Sequence, residues 1–223
     1  MEYYSPISDN FERFLLSMEK SKKETCHSDI SFQIYYDLFR IREAQWRYKL
    51  EINRGIDYSL SDIFQDLIAH YLRMCLPKQY EVFLELKQGK LRPDILIKKN
   101  GEVWSIIEIK TTIGWNRGLV RNDEYLIRLK ELSDEFKIPI ERIFYIFESS
   151  RNVDKNFASL FQGKNSDKIT KFILPLFVQS AAPYYIAKKE NKREYRKSSD
   201  QEIYALYEIN KIIDFKQIMD KIL

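Results

Sequence analysis

The sequence predicts an α/β fold in which helices flank a mixed central sheet. Along the 223 residues, segments with apolar residues at helical spacing alternate with segments that alternate apolar and polar residues as strands do. The chain has only 6 Gly and 6 Pro. That number is too small for an all-β fold rich in tight turns, and it favours a large helical share.

Residues 1–57 are predicted to form a helical N-terminal extension, with helices at 8–20 and 29–51. The Phe, Tyr, Leu and Ile content of both helices exceeds what a free helix should expose. These apolar residues could cap one face of the sheet, or they could form the interface of a homodimer. The sequence leaves both alternatives open.

Residues 58–223 are predicted to form one domain whose core spans 60–150. The core opens with a helix at 61–75, which Pro77 ends. Three strands follow, at 80–87, 91–98 and 103–111. An Asn-Gly pair separates the last two strands, and this pair is the strongest short signal for a β-hairpin.

The second half of the core predicts the mixed character of the sheet. A helix at 120–136 separates the third strand from a fourth strand at 142–148, so this connection is a crossover between parallel strands. A helix at 153–162, a strand at 170–178 and a helical tail at 199–223 complete the chain. Pro175 limits the last strand to a sheet edge or a bulge.

Two charged motifs lie on the second and third predicted strands. The first is R-P-D, ending at Asp94, and the second is E-I-K, from Glu108 to Lys110. Pairing of the two strands about the Asn-Gly turn places Asp94 opposite residues 107–109. Two carboxylates and one ammonium group are therefore expected at one end of a hairpin.

The alternation of side chains along a strand groups these charges further. Residues two apart share a face, so Glu108 and Lys110 are predicted to point the same way, together with Trp104 and Ile106. Adjacent carboxylates repel each other unless a cation neutralises them. Hard divalent ions such as Mg²⁺ prefer carboxylate oxygens, and a nearby lysine can orient water or offset charge on a phosphodiester. The same residues could instead form a salt-bridge ladder in a structural protein.

The motif P-D, thirteen residues, then E-x-K, on strands two and three of an αβββαβ order, resembles that of the PD-(D/E)xK nuclease superfamily, which has the restriction-endonuclease-like fold. The resemblance covers residues 60–150. It implies that Asp94 and Glu108 are metal ligands, that the carbonyl of Ile109 adds a third ligand, and that Lys110 is the catalytic lysine.

Two further sets of residues are candidates, the first through the same resemblance and the second through its place in the chain after Lys110. The superfamily often places an acidic ligand on the first core helix, where the candidates are Asp62, Gln65 and Asp66. None of these three is a clean match. Phosphate contacts are expected from arginines that follow the third strand, namely Arg117, Arg121 and Arg128.

The predicted function is a Mg²⁺-dependent DNA endonuclease, with Mn²⁺ as a substitute ion, of a restriction or other defence type. The alternative is a catalytically silent nucleic-acid-binding module with the same fold. The balance of 37 Lys and Arg against 33 Asp and Glu permits a polyanionic partner. With no secretory signal at 1–10 and no apolar run of about 20 residues, we expect a cytoplasmic protein without a membrane partner. Cleavage of both DNA strands predicts a two-fold homodimer.

Overall fold

A computed structural model of the chain describes residues 30–52, 61–110, 122–149, 165–175, 198–210 and 215–223. Within them, five strands form one sheet in the order β1-β2-β3-β4-β5. The strands are β1 (Tyr80–Leu84), β2 (Ile95–Lys99), β3 (Glu102–Lys110), β4 (Ile143–Ser149) and β5 (Lys171–Pro175). The helices are α1 (Ile30–Ile52), α2 (Ser61–Cys75), α3 (Asn122–Phe136), α4 (Asp200–Asn210) and α5 (Phe215–Ile222).

The sheet is mixed, as the sequence predicts. β1, β2 and β3 pair antiparallel, whereas β3, β4 and β5 pair parallel. Helix α3 lies in the crossover between β3 and β4. β5 is the edge strand of the described sheet and ends at Pro175. Proline has no N–H to donate, and an edge strand tolerates this because no strand pairs with its outer side.

Helices cover both faces of this sheet. On one face, side chains of α1, α2 and α5 share a core with alternate residues of β1 to β4. On the other face, Leu129, Leu132 and Phe136 of α3 pack on Leu96, Ile106 and Tyr145. The result is a three-layer α/β arrangement with two apolar cores. Among the described residues, no helix combines the length and the apolar character needed to cross a bilayer.

Helix α1 caps one face of the sheet. Its Ile30, Ile34 and Leu38 are buried in the same core as α2 and the strands. Its Tyr35 and Phe39 form a second buried cluster against α4. For this helix the capping alternative is therefore the observed one, while the predicted helix at 8–20 lies outside the described residues.

Several predicted boundaries differ from the observed ones. The strand predicted at 80–87 ends at Leu84, because Glu85 takes a left-handed conformation with φ of 47°. The strand predicted to begin at 91 begins at Ile95, after a short bridge between Gln88 and Leu91. The tail forms two helices, α4 and α5, with residues 211–214 outside the described part. The predicted helix at 153–162 and residues 176–178 also lie outside it.

A β-bulge changes which side chains share a face of β3. The pairing of β2 with β3 shifts by one residue and leaves Trp104 as the extra residue. Trp104 packs in the core beneath α1, α2 and α5, and its Nε1 donates to the carbonyl of Ile222 at 2.7 Å. Ile106 and Glu108 face α3 instead. The prediction that Trp104 shares a face with Glu108 and Lys110 is therefore wrong.

Candidate functional site

Three parts of the chain fix the position of Asp94. Its carbonyl accepts hydrogen bonds from the amide of Glu85 at 3.0 Å and from Nε2 of Gln65 on α2 at 3.1 Å. Its carboxylate Oδ2 accepts a hydrogen bond from the amide of Ile109 at 2.6 Å. Because both the main chain and the side chain are held, the Asp94 carboxylate has a defined position at the start of β2.

The loop before Asp94 is tied to α3. Nε2 of Gln88 donates to the carbonyl of Glu135 at 3.1 Å, and Nη2 of Arg128 donates to the carbonyl of Arg92 at 3.3 Å. Gly89 has φ of 55°, a left-handed conformation that favours glycine, and it lies against the carboxylate end of the flexible Glu135 side chain. These contacts couple the loop to the helix that faces Glu108.

Glu108 is a buried carboxylate between two cations. Only 3% of the residue is exposed. Its Oε1 lies 3.1 Å from Nη2 of Arg128, and its Oε2 lies 3.4 Å from Nε of Arg128. Nζ of Lys110 lies 3.5 Å from the same Oε2. A buried carboxylate requires such partners, since an unpaired charge is costly in the interior.

Opposing electrostatic effects act on the pKa of Glu108. Burial raises the pKa of this carboxyl above its usual value, and the charge of Asp94 raises that pKa further. The charges of Lys110 and Arg128 act in the opposite direction but do not cancel the rise. The two carboxylates are therefore close enough to repel, which is the situation that a bound cation relieves.

Tyr145 forms one wall of the site. It pairs with Glu108 across β3 and β4, and burial followed by the charge of Glu108 raises the pKa of its phenol. Its hydroxyl donates to the carbonyl of Tyr125 at 3.3 Å. Nζ of Lys110 lies 5.9 Å from the ring centroid, within cation–π range. The phenol therefore keeps its proton, and Tyr145 contributes a neutral aromatic wall to the site and not an acidic group.

The donor set at this end of the hairpin suits a hard divalent ion. It contains the carboxylates of Asp94 and Glu108, both oxygen donors of the kind that Mg²⁺ prefers. The amide of Ile109 faces Asp94, and in a strand the amide and carbonyl of one residue face the same neighbour. The Ile109 carbonyl is therefore on the Asp94 side of β3 as well, and the three groups are the residues that could hold such an ion.

The additional candidates differ in position. Gln65 approaches the site but donates to the main chain of Asp94, and Asp66 is exposed on α2. The side chain of Asp62 lies outside the described part, as do Arg117 and Arg121. In the part of the chain that the structure describes, no group of three His, Cys, Asp or Glu residues lies close enough to hold a metal ion.

Arg128 has a role that its sequence position did not identify. The phosphate contact suggested by the sequence stays a prediction, and in the structure the guanidinium lies on Glu108. One sequence feature could have indicated this contact: Arg128 directly precedes Leu129, which belongs to the apolar stripe of α3 that faces the sheet. An arginine at the edge of a buried stripe has a partly buried guanidinium that needs an anionic partner.

No family model, no curated protein and no solved structure matches this chain. The fold is thus described by its own geometry, as an α/β protein with a five-stranded mixed sheet flanked by helices.

Proposed function

We propose that the chain is a Mg²⁺-dependent DNA endonuclease with a restriction-endonuclease-like core of the PD-(D/E)xK type. The observation that carries the proposal is the convergence of Asp94, Glu108 and Lys110 at one end of the β2–β3 hairpin. The element order α2, β1, β2, β3, α3, β4 is compatible with the αβββαβ order of that fold. Mn²⁺ is the expected substitute ion.

Each residue has a distinct task in this proposal. Asp94 and Glu108 hold the divalent ion through carboxylate oxygens, and the carbonyl of Ile109 adds a third ligand. A bound Mg²⁺ supplies a water of lowered pKa and stabilises charge on the phosphodiester. Lys110 stays protonated, so it donates hydrogen bonds to the attacking water or the phosphate oxygens and does not ligate the ion.

The pairing of charges favours this proposal over a simple salt-bridge ladder. A ladder pairs each carboxylate with a cation of its own, whereas the described ion pairs of Lys110 and of Arg128 both go to Glu108. Asp94 makes no described ion pair, and its charge raises the pKa of Glu108. Its hydrogen bond from Ile109 needs only a neutral acceptor. Metal binding gives this second carboxylate a role that a salt-bridge ladder does not.

The wider assignments belong to the same proposal. A restriction or other defence role rests on analogy with the superfamily. A cytoplasmic location rests on the sequence expectations given above. If both strands of a duplex are cut, two protomers related by a dyad are the simplest arrangement. Since α1 buries its described apolar side chains within the chain, these side chains would not form that dimer.

Incubation with nucleic acid tests the proposed function. Supercoiled plasmid, linear duplex DNA and RNA are incubated with Mg²⁺, with Mn²⁺ and with EDTA. We expect cleavage of DNA with either ion and none with EDTA. Glu108→Gln, purified in parallel, is the matched control because it keeps the shape of the side chain and removes its charge. Cleavage that persists in EDTA or in this variant would overturn the proposal. Binding of DNA by wild type without cleavage would favour the silent binding module.

A further inference from the structure

Arg128 contacts both oxygens of Glu108. Nη2 and Nε of the guanidinium lie 3.1 and 3.4 Å from Oε1 and Oε2, in the two-pronged geometry that arginine makes with carboxylates. The third contact of Arg128 is the carbonyl of Arg92, at 3.3 Å on the loop before Asp94. About a quarter of the side chain, 27%, is exposed. The guanidinium therefore lies between the buried carboxylate and solvent.

Among the residues that the structure describes, the formal charges at this place are balanced. Asp94 and Glu108 carry two negative charges, and Lys110 and Arg128 carry two positive ones. A divalent ion added to this set would bring two uncompensated positive charges close to a guanidinium. Both oxygens of Glu108 are also engaged by donors on Arg128. The ion and the guanidinium thus compete for the same carboxylate.

Once the ion displaces the Arg128 guanidinium from Glu108, a substrate phosphate is the next anion that it can bind. A nuclease site that contains its ion next receives the phosphates of the substrate, and arginine binds phosphate through the same two-pronged geometry. The exposed part of Arg128 and its anchor on the Arg92 carbonyl keep the side chain at the edge of the site. A change of side-chain rotamer would carry the guanidinium from Glu108 to such a phosphate.

We propose that Arg128 is a resident cation which holds Glu108 in the ion-free protein, yields it to the divalent ion, and then binds a backbone phosphate of the DNA. This inference rests on the proposed function and names a residue that the motif does not contain. A purely structural arginine that fastens α3 to the sheet makes a different prediction. Its loss would loosen the site and weaken the binding of metal.

Metal binding without DNA tests the first half of the proposal. Mn²⁺ is titrated into wild type, Arg128→Gln and Arg128→Lys, and heat is recorded by calorimetry. Lys130→Gln is the matched control, because Lys130 is exposed on the same helix and carries the same charge. We expect Arg128→Gln to bind Mn²⁺ several-fold tighter than wild type. Arg128→Lys keeps the charge with a weaker contact, so its gain should be smaller, and Lys130→Gln should match wild type.

DNA kinetics at saturating Mn²⁺ test the second half. Loss of one phosphate contact is expected to raise the KM of Arg128→Gln for a duplex on the order of tenfold. The slope of log KM against log salt should fall by about one. Lys130→Gln should leave both quantities near those of wild type. Circular dichroism of each variant verifies that it is folded, and Arg128→Lys carries the test if Arg128→Gln is not.

The outcomes separate this inference from the proposed function. If wild type neither binds Mn²⁺ nor cleaves DNA, the proposed function has failed and the inference fails with it. If wild type does both, but folded Arg128 variants bind Mn²⁺ equally or more weakly, the inference alone is overturned. Tighter Mn²⁺ binding together with an unchanged KM and salt slope would show that Arg128 does not contact a DNA phosphate, and the second half of the proposal would be overturned.

Discussion

The amide of Ile109 donates a 2.6 Å hydrogen bond to Oδ2 of Asp94. Regular pairing of β2 with β3 begins one residue later, where Ile95 lies opposite Ile107. The Asp94 carboxylate therefore continues the sheet by taking the place of a main-chain acceptor. The same hydrogen bond keeps Asp94, directly before β2, next to the part of β3 that contains Glu108.

Asp94→Asn should abolish cleavage while leaving the fold nearly unchanged. The amide oxygen of asparagine still accepts the hydrogen bond from Ile109, whereas the negative charge needed to bind a divalent ion is gone. Plasmid nicking and urea unfolding of the same preparation measure both effects. Asp94→Ala is the comparison variant. It leaves a strand amide without its acceptor and should cost about 1–3 kcal/mol of stability. Wild-type activity in Asp94→Asn would exclude Asp94 from the chemistry.

Lys110→Met should retain Mn²⁺ binding and lose cleavage by about 10²-fold or more, the size of effect seen when one charge-stabilising donor is removed. The stem of Lys110 stays beside Tyr145, so the local packing is maintained. Calorimetry with Mn²⁺ and single-turnover cleavage separate the two properties. Full activity in this variant would mean that the ammonium group takes no part.

Trp104→Phe should lower stability without changing cleavage, since this residue lies at the opposite end of β3 from Lys110. The variant loses the hydrogen bond to the Ile222 carbonyl, which is worth about 0.5–1.5 kcal/mol. It keeps an aromatic ring beneath Lys99 and Arg142, whose cationic groups lie 4.1 and 3.2 Å from the ring centroid. Thermal unfolding and a cleavage assay on the same sample provide the check. A large loss of activity would contradict this separation of stability from function.

Asp37→Asn should remove a pH dependence of stability. Burial raises the pKa of the Asp37 carboxyl to about 7, against the opposing effect of hydrogen bonds from Gln33 and Tyr71 at 2.9 and 3.2 Å. Between about pH 4 and pH 7 the folded protein keeps a proton that the unfolded chain has lost, so wild-type stability falls as pH rises. The loss is on the order of 4 kcal/mol, since each pKa unit corresponds to about 1.4 kcal/mol.

Urea unfolding from pH 4.5 to pH 8 measures this prediction. The Asp37→Asn protein should have a flatter profile and exceed wild type above pH 7. Asp134→Asn, at an exposed position on α3, is the control and should follow wild type. Parallel profiles for wild type and Asp37→Asn would show that Asp37 is ionised throughout.

The hairpin and its acidic pair could be predicted from sequence because their determinants are local. The Asn100-Gly101 turn has φ of 52° and 84°, the conformations that this pair favours. That turn, with the alternating strands beside it, predicts Asp94 opposite residues 107–109, and the one-residue shift at the bulge brings the observed register to Ile95 opposite Ile107. The helix at 61–75 was predicted to its observed ends for a similar reason, a regular apolar stripe stopped by Pro77.

The bulge and the role of Arg128 could not be predicted in this way. The bulge at Trp104 depends on packing against α5 and on the carbonyl of Ile222, far along the chain. The contact of Arg128 with Glu108 depends on how α3 lies across the sheet. Both follow from tertiary packing, which the local periodicity of a strand or helix does not encode.

The position of both carboxylates on one hairpin sets an order of events during folding. The contact of Asp94 with Ile109 spans 15 residues, whereas the guanidinium that neutralises Glu108 comes 20 residues later, on a helix that must first cross the sheet. A chain emerging from the ribosome thus completes the acidic hairpin with Lys110 but without Arg128, the second cation on Glu108. Repulsion between two like charges slows that closure, and salt screens it. We therefore expect the refolding of this protein to accelerate with ionic strength, and most clearly at pH values where both carboxyls are ionised.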